Sequence, residues 1–380
     1  MSDQMTGAAA PDDDLDLTLE GVDLVTLPKV SLHDHLDGGL RPETILELAD
    51  EAGLETPRDE PEALGEWFVA SAGSGDLPTY LKTFDQTVAV MQTAEALERV
   101  AREFVEDSVD DGVVYVEARW APEQHLAQGL SLDEAVEAVA SGLEQGMRAA
   151  TAFGARIEAV QLLTALRQND RSLDIAELAL RHREDGVVGF DLAGPELGFP
   201  PSDHRAALDL LAAEFMPVTL HAGEADGLDS IVSALVDGRA LRLGHGTRLT
   251  EDVDLVEDAD GTTVAEIGDV AGWVRDRGIV LEMCPSSNLQ TGALTGDLTD
   301  HPLDLFYQLD FPVTVNVDNR LQSGTTLSEE WARVAEAFDY GVDDLAVLAL
   351  NAVEGAFLPA PERQELADRV LAGFDRARQG

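Results

Sequence analysis

With 380 residues and an ordinary hydrophobic share of 44%, the chain can bury one large core or two modest ones. Its 74 acidic and 25 basic side chains leave a formal charge of −49, a surface that repels phosphate backbones and anionic bilayers. Nucleic acid and membranes are thereby excluded as partners, and no apolar run is long enough to span a bilayer.

Residues 1–25 read as an acidic flexible tail. Met1 to Gly21 has neither a basic start nor an apolar stretch of the secretory kind, and Asp12, Asp13 and Asp14 form a run of like charge. Residues 26–380 read as a single domain. Eight short runs dense in Val, Ile and Leu recur along it. They lie near Lys29–Leu36, Val113–Trp120, Arg156–Leu163, Val187–Leu192, Pro217–His221, Leu241–His245, Ile279–Cys284 and Pro312–Val317. Most lack strict polar alternation, as strands buried on both faces do.

The gaps carry helical spacing. Pro42 opens one helix at its first turn, and Ser131-Leu132-Asp133-Glu134 has the form of a capping box. Eightfold strand–helix alternation predicts an α/β fold of the (β/α)8 TIM-barrel type. Gly38-Gly39 does not match the glycine fingerprint that a dinucleotide-binding open sheet would require. Residues 40–112, between the first two strands, are far too many for one barrel helix and predict a helical insertion. Within it Trp67, Phe68, Tyr80, Leu81 and Phe84 fall at helix-compatible intervals. They suit a small helical subcore, a lid with apolar walls over the barrel mouth, or both. The acidic stretch Glu251–Gly261 reads as a solvated loop.

One cysteine, Cys284, excludes an internal disulfide and any Cys-x-x-Cys motif, and accords with a reducing cytoplasm. Lysine occurs only at Lys29 and Lys82. An acid-rich, lysine-poor surface suits a salty cytoplasm, where ions screen self-repulsion; an acidic protein of a GC-rich genome is the plainer reading.

The chemistry gathers at strand ends. Ser31-Leu32-His33-Asp34-His35, His221-Ala222-Gly223-Glu224, Gly244-His245-Gly246 and Val315-Asn316-Val317-Asp318-Asn319 all sit there. Side chains alternate along a strand, so His33 and His35 face the same way, into the barrel mouth. His221 ends the fifth strand and Asp318 the eighth, which brings four donors to the C-terminal rim where barrel enzymes work. Three imidazoles and a carboxylate suit one Zn2+, with Fe2+ or Co2+ as alternatives. Glu224, three residues past His221, can lean over the mouth as an acid; otherwise it answers a helix dipole. His245, between glycines, can orient the attacking water or serve as a fifth ligand. His125, His182, His204 and His301 are expected at the surface or as caps.

These motifs, with Pro28-Lys29-Val30 before the first, Asp191-Leu192-Ala193-Gly194, and Cys284-Pro285-Ser286-Ser287-Asn288, stand in a familiar order. From about Leu27 to Leu358 the chain resembles the adenosine deaminase family of metal-dependent amidohydrolases. The resemblance implies His33, His35, His221 and Asp318 as zinc ligands, Asp318 also taking the water's proton. It implies Glu224 as proton donor to purine N1 and His245 as the group holding the attacking hydroxide. Gly194 would give its N–H to purine N3, and Asp37 would accept from the ribose 5′-hydroxyl. Related barrels that bridge two metals do so with a modified lysine from a central strand, and neither lysine here lies on one.

The implied reaction converts adenosine, and 2′-deoxyadenosine, to inosine products and ammonia in purine salvage. The partner is a small-molecule purine nucleoside, and oligomeric state is not written in these motifs. The other zinc deaminase design needs several cysteines and is excluded. Asn319 stands where animal-type relatives have an aspartate facing purine N7. N7 accepts hydrogen bonds, so a carboxamide can donate to it directly. Two rival readings remain: a deaminase of another 6-aminopurine, such as adenine or a modified adenosine, and an inactive nucleoside-binding relative. A carboxylate at Asp37 disfavours a 5′-phosphate.

Overall fold

The computed structural model describes residues 15–257 and 260–379. All eight expected strands form: β1 (Lys29–His35), β2 (Val113–Trp120), β3 (Glu158–Leu166), β4 (Val187–Ala193), β5 (Thr219–Ala222), β6 (Arg242–His245), β7 (Val280–Met283) and β8 (Val313–Val315). β1 to β4 pair in parallel in chain order, and so do β5 to β8. Single parallel bridges, Asp34 to Asp318 and Phe190 to Val218, join the two halves at both seams. At the first seam His35 N–H donates to Asp318 O at 2.8 Å, and Asp318 N–H to His33 O at 3.0 Å. At the second, Phe190 N–H donates to Pro217 O at 3.1 Å. This parallel ring with helices outside it is a (β/α)8 barrel. Every residue of β1 is buried, polar ones included, as befits a strand covered on both faces.

The insertion supplies five helices: α1 (Pro42–Ala52), α2 (Pro61–Ala72), α3 (Leu77–Tyr80), α4 (Phe84–Val90) and α5 (Ala94–Asp110). Its aromatic residues divide. Phe68, with Trp67 beside it, joins the main core, whereas Tyr80 packs with Ala72 and Leu77 in a separate cluster that Leu81 and Phe84 flank. That cluster sits over the rim of the ring. The next helix, α6 (Leu132–Ala152), starts from the expected capping box, Ser131 and Glu134 each satisfying the other's backbone N–H. α5 and α6 approach so closely that a Cβ at Gly146 would lie 2.5 Å from Val105 Cβ.

Two expectations are corrected. The tail is shorter than expected: Thr18–Leu19 pairs antiparallel with Val22–Asp23, Leu24 is buried, and Leu15, Leu17 and Leu19 pack against the core. The buried Lys29 ammonium ties this segment down, donating to the carbonyls of Leu24 at 2.6 Å, Leu27 at 3.0 Å and Asp111 at 2.8 Å. Residues 1–14 of the expected tail lie outside the described residues. The presumed loop is largely a hairpin, Val253–Glu257 pairing antiparallel with Thr263–Ile267. Dense acidic side chains and the exposed Leu255 and Val264 leave it without a clear alternation, although Val253 and Ile267 pack on the core. Residues 258 and 259 are outside the described set. No helix among the described residues is long and apolar enough to cross a membrane.

Candidate active site

The four expected donors meet. His33, His35, His221 and Asp318 offer ligand atoms that all lie within 4.8 Å of one another. His33 Nε2 stands 3.3 Å and His35 Nε2 3.4 Å from Asp318 Oδ1, and His35 Nε2 lies 3.3 Å from His221 Nε2. Local backbone strain serves the aim of these groups. Asp318 and His245 adopt φ of +62° and +64°, a left-handed conformation uncommon for residues with a Cβ.

The protons on these rings are assigned by their outer partners. His221 Nδ1–H donates to Asp191 Oδ1 at 3.0 Å, and His33 Nδ1–H to Glu282 Oε2 at 3.1 Å. Their Nε2 atoms therefore turn bare lone pairs toward other acceptors, and His33 Nε2 has no hydrogen-bond partner at all. Burial holds His35 well below the usual imidazole range, and it lowers His221 as well. Against the upward push of burial, the ring of His33 beside it, then those of His245 and His35, keeps Asp318 well below the usual carboxylate range. Against the downward push of burial and Arg119, Asp318 and Glu282 hold His33 above the usual imidazole range, so acceptors crowded this closely call for a cation, a proton or a metal ion, among them. The donor set thus fits a divalent metal of the zinc class. A second grouping, His245, Cys284 and Asp318, shares Asp318. Burial holds the Cys284 thiol far above its ordinary range, so it keeps its proton and makes a poor ligand.

Glu224 faces the same point. It lines a hollow of about 40 Å³ with His35, His221, His245, Asp318, Asn319, Gly194, Tyr80 and others. Burial, then the nearby charges of Asp318 and Glu196, push its carboxyl up to about 8, so it is protonated at neutral pH. Its turn is fixed by Glu196, whose carboxylate accepts from the backbone N–H groups of Gly223 (2.6 Å), Glu224 (3.0 Å), Ala225 (2.7 Å) and Asp226 (2.9 Å). Across the hollow, His245 Nε2 is 3.6 Å from Glu224 Oε2.

Asp37 lies in an adjoining hollow of about 210 Å³ with Asp85, Gln124, Thr164, Gln168 and Gly194. Burial pushes its carboxyl up to about 7. Gly194 borders both hollows with φ of +96°, and a Cβ there would strike the Gln168 side chain. Asn319 Nδ2–H donates to the Tyr80 hydroxyl at 2.8 Å, and its Oδ1 has no partner. Of the sequence-derived site residues, all but His33 border this pair of hollows; His33 lies behind them, against Asp318. A larger hollow of about 580 Å³ lies between the insertion and the outer face of β1, and none of the four donors lines it.

Residues 28–373 match a family model described as adenosine deaminase. The chain belongs to the adenosine deaminase family. Adenosine deaminase 1 of Streptomyces coelicolor is 51% identical over 345 residues, covering 90% of this chain and 86% of that one. Among solved structures, an adenine deaminase from Arthrobacter aurescens superposes with a TM-score of 0.77 at 26% identity, covering 91% of this chain and 98% of that one. An amidohydrolase from Burkholderia ambifaria, solved with bound Zn, has a TM-score of 0.82 at 22% identity over 97% of both chains; at that identity the likeness concerns the fold.

Beyond the family's motifs, the structure adds residues that sequence reasoning passed over. Beneath the rim, Glu282 accepts from Arg119 at 2.7 Å and Thr219 at 2.9 Å, and also pairs with Arg242, which in turn pairs with Glu117. A signal existed: each of these charges interrupts an apolar strand at a position that faces the interior. Glu196 had no such signal, since only the fold brings its loop to Glu224.

The remaining histidines all stand at helix-cap positions, as one of the two expected roles has it, but none is at the surface, because all four are buried. His125 bonds to Met91 O at 2.9 Å, and His182 to Asp133 at 2.8 Å. His204 contacts Ser172 at 2.9 Å and Arg167 O at 3.1 Å. His301 reaches toward the site through Asn288. Inter-helix packing, invisible in local sequence, covers them.

Proposed function

We propose that this chain deaminates adenosine, and 2′-deoxyadenosine, hydrolytically to inosine products and ammonia. The observation that carries the reading is the Glu224 carboxyl, pushed up to about 8 by burial, sharing one hollow with His35, His221 and Asp318 of the four converging metal donors. Homologues named adenosine deaminase, about half identical over most of the chain, support the substrate.

His33, His35, His221 and Asp318 would hold a divalent ion, Zn2+ in this reading, with Fe2+ or Co2+ as alternatives. Such an ion, when bound, lowers the pKa of a coordinated water toward ~7. Glu224 gives its proton to purine N1, which makes C6 electrophilic. Asp318 takes the proton of the attacking water, its other carboxylate oxygen being held by Ser287 Oγ at 2.5 Å. His245 steadies the oxygen that adds at C6; Asp318 passes its proton to the leaving amino group, which departs as ammonia while the C6 hydroxyl becomes a carbonyl and its proton restores Glu224. Gly194 offers its N–H to N3 at a point where a side chain would obstruct the base. Asn319 donates to N7, and Asp37 accepts from the ribose 5′-hydroxyl.

The adjoining hollow argues for a nucleoside over free adenine. It lies beyond the base position and is lined by polar groups that a sugar can use, Asp37, Gln124, Thr164 and Gln168. The carboxylate of Asp85, beside Asp37, opposes a 5′-phosphate. A cytoplasmic location belongs to the same reading, supported by the lone buried thiol of Cys284.

A substrate panel of adenosine, 2′-deoxyadenosine, adenine and AMP, followed by the ultraviolet change from adenine to hypoxanthine, tests the assignment. Adenosine and 2′-deoxyadenosine are expected to dominate. A higher kcat/KM on adenine or AMP would overturn it, and no turnover of any of the four would favour an inactive relative.

A further inference from the structure

His245 can carry its proton on either ring nitrogen, and the two forms do opposite things in the hollow. With the proton on Nε2 it donates to an oxygen there; with the proton on Nδ1 it presents a lone pair, to a metal or as a base. Its surroundings decide between them, starting from two backbone groups that can only donate.

The first is Cys284 N–H, which points at Asn288 Oδ1 at 3.4 Å. The second is Leu303 N–H, which donates to His301 Nδ1 at 3.1 Å. His301 Nδ1 is thereby an acceptor, so its proton is on Nε2, and that N–H donates to Asn288 Oδ1 at 3.2 Å. Two independent donors thus identify the same atom of Asn288 as the oxygen. The other end must be the amino group, and it lies 2.9 Å from His245 Nδ1. A carboxamide nitrogen has no lone pair to offer in a hydrogen bond, so His245 Nδ1 accepts. Asn288 is fully buried, and His301 and His245 nearly so, which leaves no solvent to swap these roles.

Resting on the proposed deamination, we propose that Asn288 and His301 are positioning residues that impose the Nε2–H form on His245. His245 then has no free lone pair. It acts as a hydrogen-bond donor to the oxygen that adds at C6, and neither ligates the metal nor removes a proton. Donors aimed at developing negative charge are effective because they need no reorganisation during reaction. His301, distant in sequence from every motif histidine, acts only through Asn288.

The test combines spectroscopy with kinetics on the zinc-loaded protein. Long-range 1H–15N spectra of 15N-histidine-labelled enzyme, with His245 assigned by its loss in His245→Gln, should show a protonated Nε2 and a lone-pair Nδ1. A protonated Nδ1, or a metal-shifted Nε2, overturns the proposal whether or not adenosine is the substrate. In Asn288→Asp the amino donor becomes an acceptor, so His245 should move its proton to Nδ1. kcat on adenosine should fall by about 10²–10³-fold, with KM and zinc content little changed. In His301→Leu, where Cys284 N–H still holds Asn288, the fall should be about three- to tenfold. His301→Gln, which keeps a donor toward Asn288, should recover most of it. An Asn288→Asp protein with unchanged kcat and an unchanged His245 spectrum, or one that loses zinc and kcat together without a tautomer change, overturns the role. Absence of adenosine turnover by the wild type overturns the functional reading and leaves the tautomer result standing by itself.

Discussion

Two clusters of charge sit one above the other inside the ring, and they are built on opposite terms. In the lower one Arg119 and Arg242 meet Glu282, Glu117 and Asp191, so each sign finds the other. Against the opposing push of burial, Arg119 and Arg242 hold Glu282 well below the ordinary carboxylate range. In the upper cluster, imidazole lone pairs and a carboxylate face one another, and Glu224 keeps its proton. Buried charge tolerates the interior only when paired or coordinated. The lower cluster balances its own charge and, through Glu282 and Asp191, also orients two of the donors above it; the upper one balances only around a cation.

The most severe way to break this contrast is to remove the metal. Prolonged chelation should abolish deamination and lower Tm, and Zn2+ should restore both; full activity in protein shown metal-free by elemental analysis would refute the upper cluster's role. Next in size, Glu224→Gln should keep its zinc while kcat falls by about 10²–10⁴-fold. Because Glu224 is held up to about 8, the wild type carries the needed proton at neutral pH, and kcat/KM should decline as pH rises past about 8.

The lower cluster should answer to stability instead. Glu282→Ala strands two buried guanidinium groups and should cost about 3–5 kcal/mol by denaturant unfolding, with or without zinc. A cost seen only in the zinc-loaded protein would show that the two clusters are one. Finer still, Tyr80→Phe removes the group that holds the Asn319 amide. It should lower the preference for adenosine over 7-deazaadenosine, which lacks the N7 acceptor, by about three- to tenfold. Smallest and most general, stability in molar KCl should exceed that at low salt if the −49 surface is salt-adapted. Equal unfolding midpoints would leave the acidity as mere composition.

The upper cluster was far more legible in the sequence than the lower. His33, His35, His221 and Asp318 occupy strand ends, where a fixed period of two and the C-terminal rim jointly locate a side chain. Arg119, Arg242 and Glu282 lie in strands equally well marked, yet nothing local says which charges will meet. The N-terminal hairpin was missed because acidic residues around it obscure the alternation of Leu15, Leu17 and Leu19, and the 253–267 hairpin because it leaves Leu255 and Val264 exposed and so has no alternation to read. Glu196 and His301 act across the fold through single hydrogen bonds, which leave no periodic trace.

Sequence alone located the ring of eight strands, the four converging donors, the carboxyl of Glu224 beside them and the family. Those features follow from local rules, side-chain alternation and double-sided burial, that operate within a strand. Tertiary structure alone decided the protonation of Glu224, the tautomers of the imidazoles and the pairing of the buried arginines. Each of those depends on which distant groups share a solvent-free space, and proximity of that kind is fixed only when the chain closes on itself.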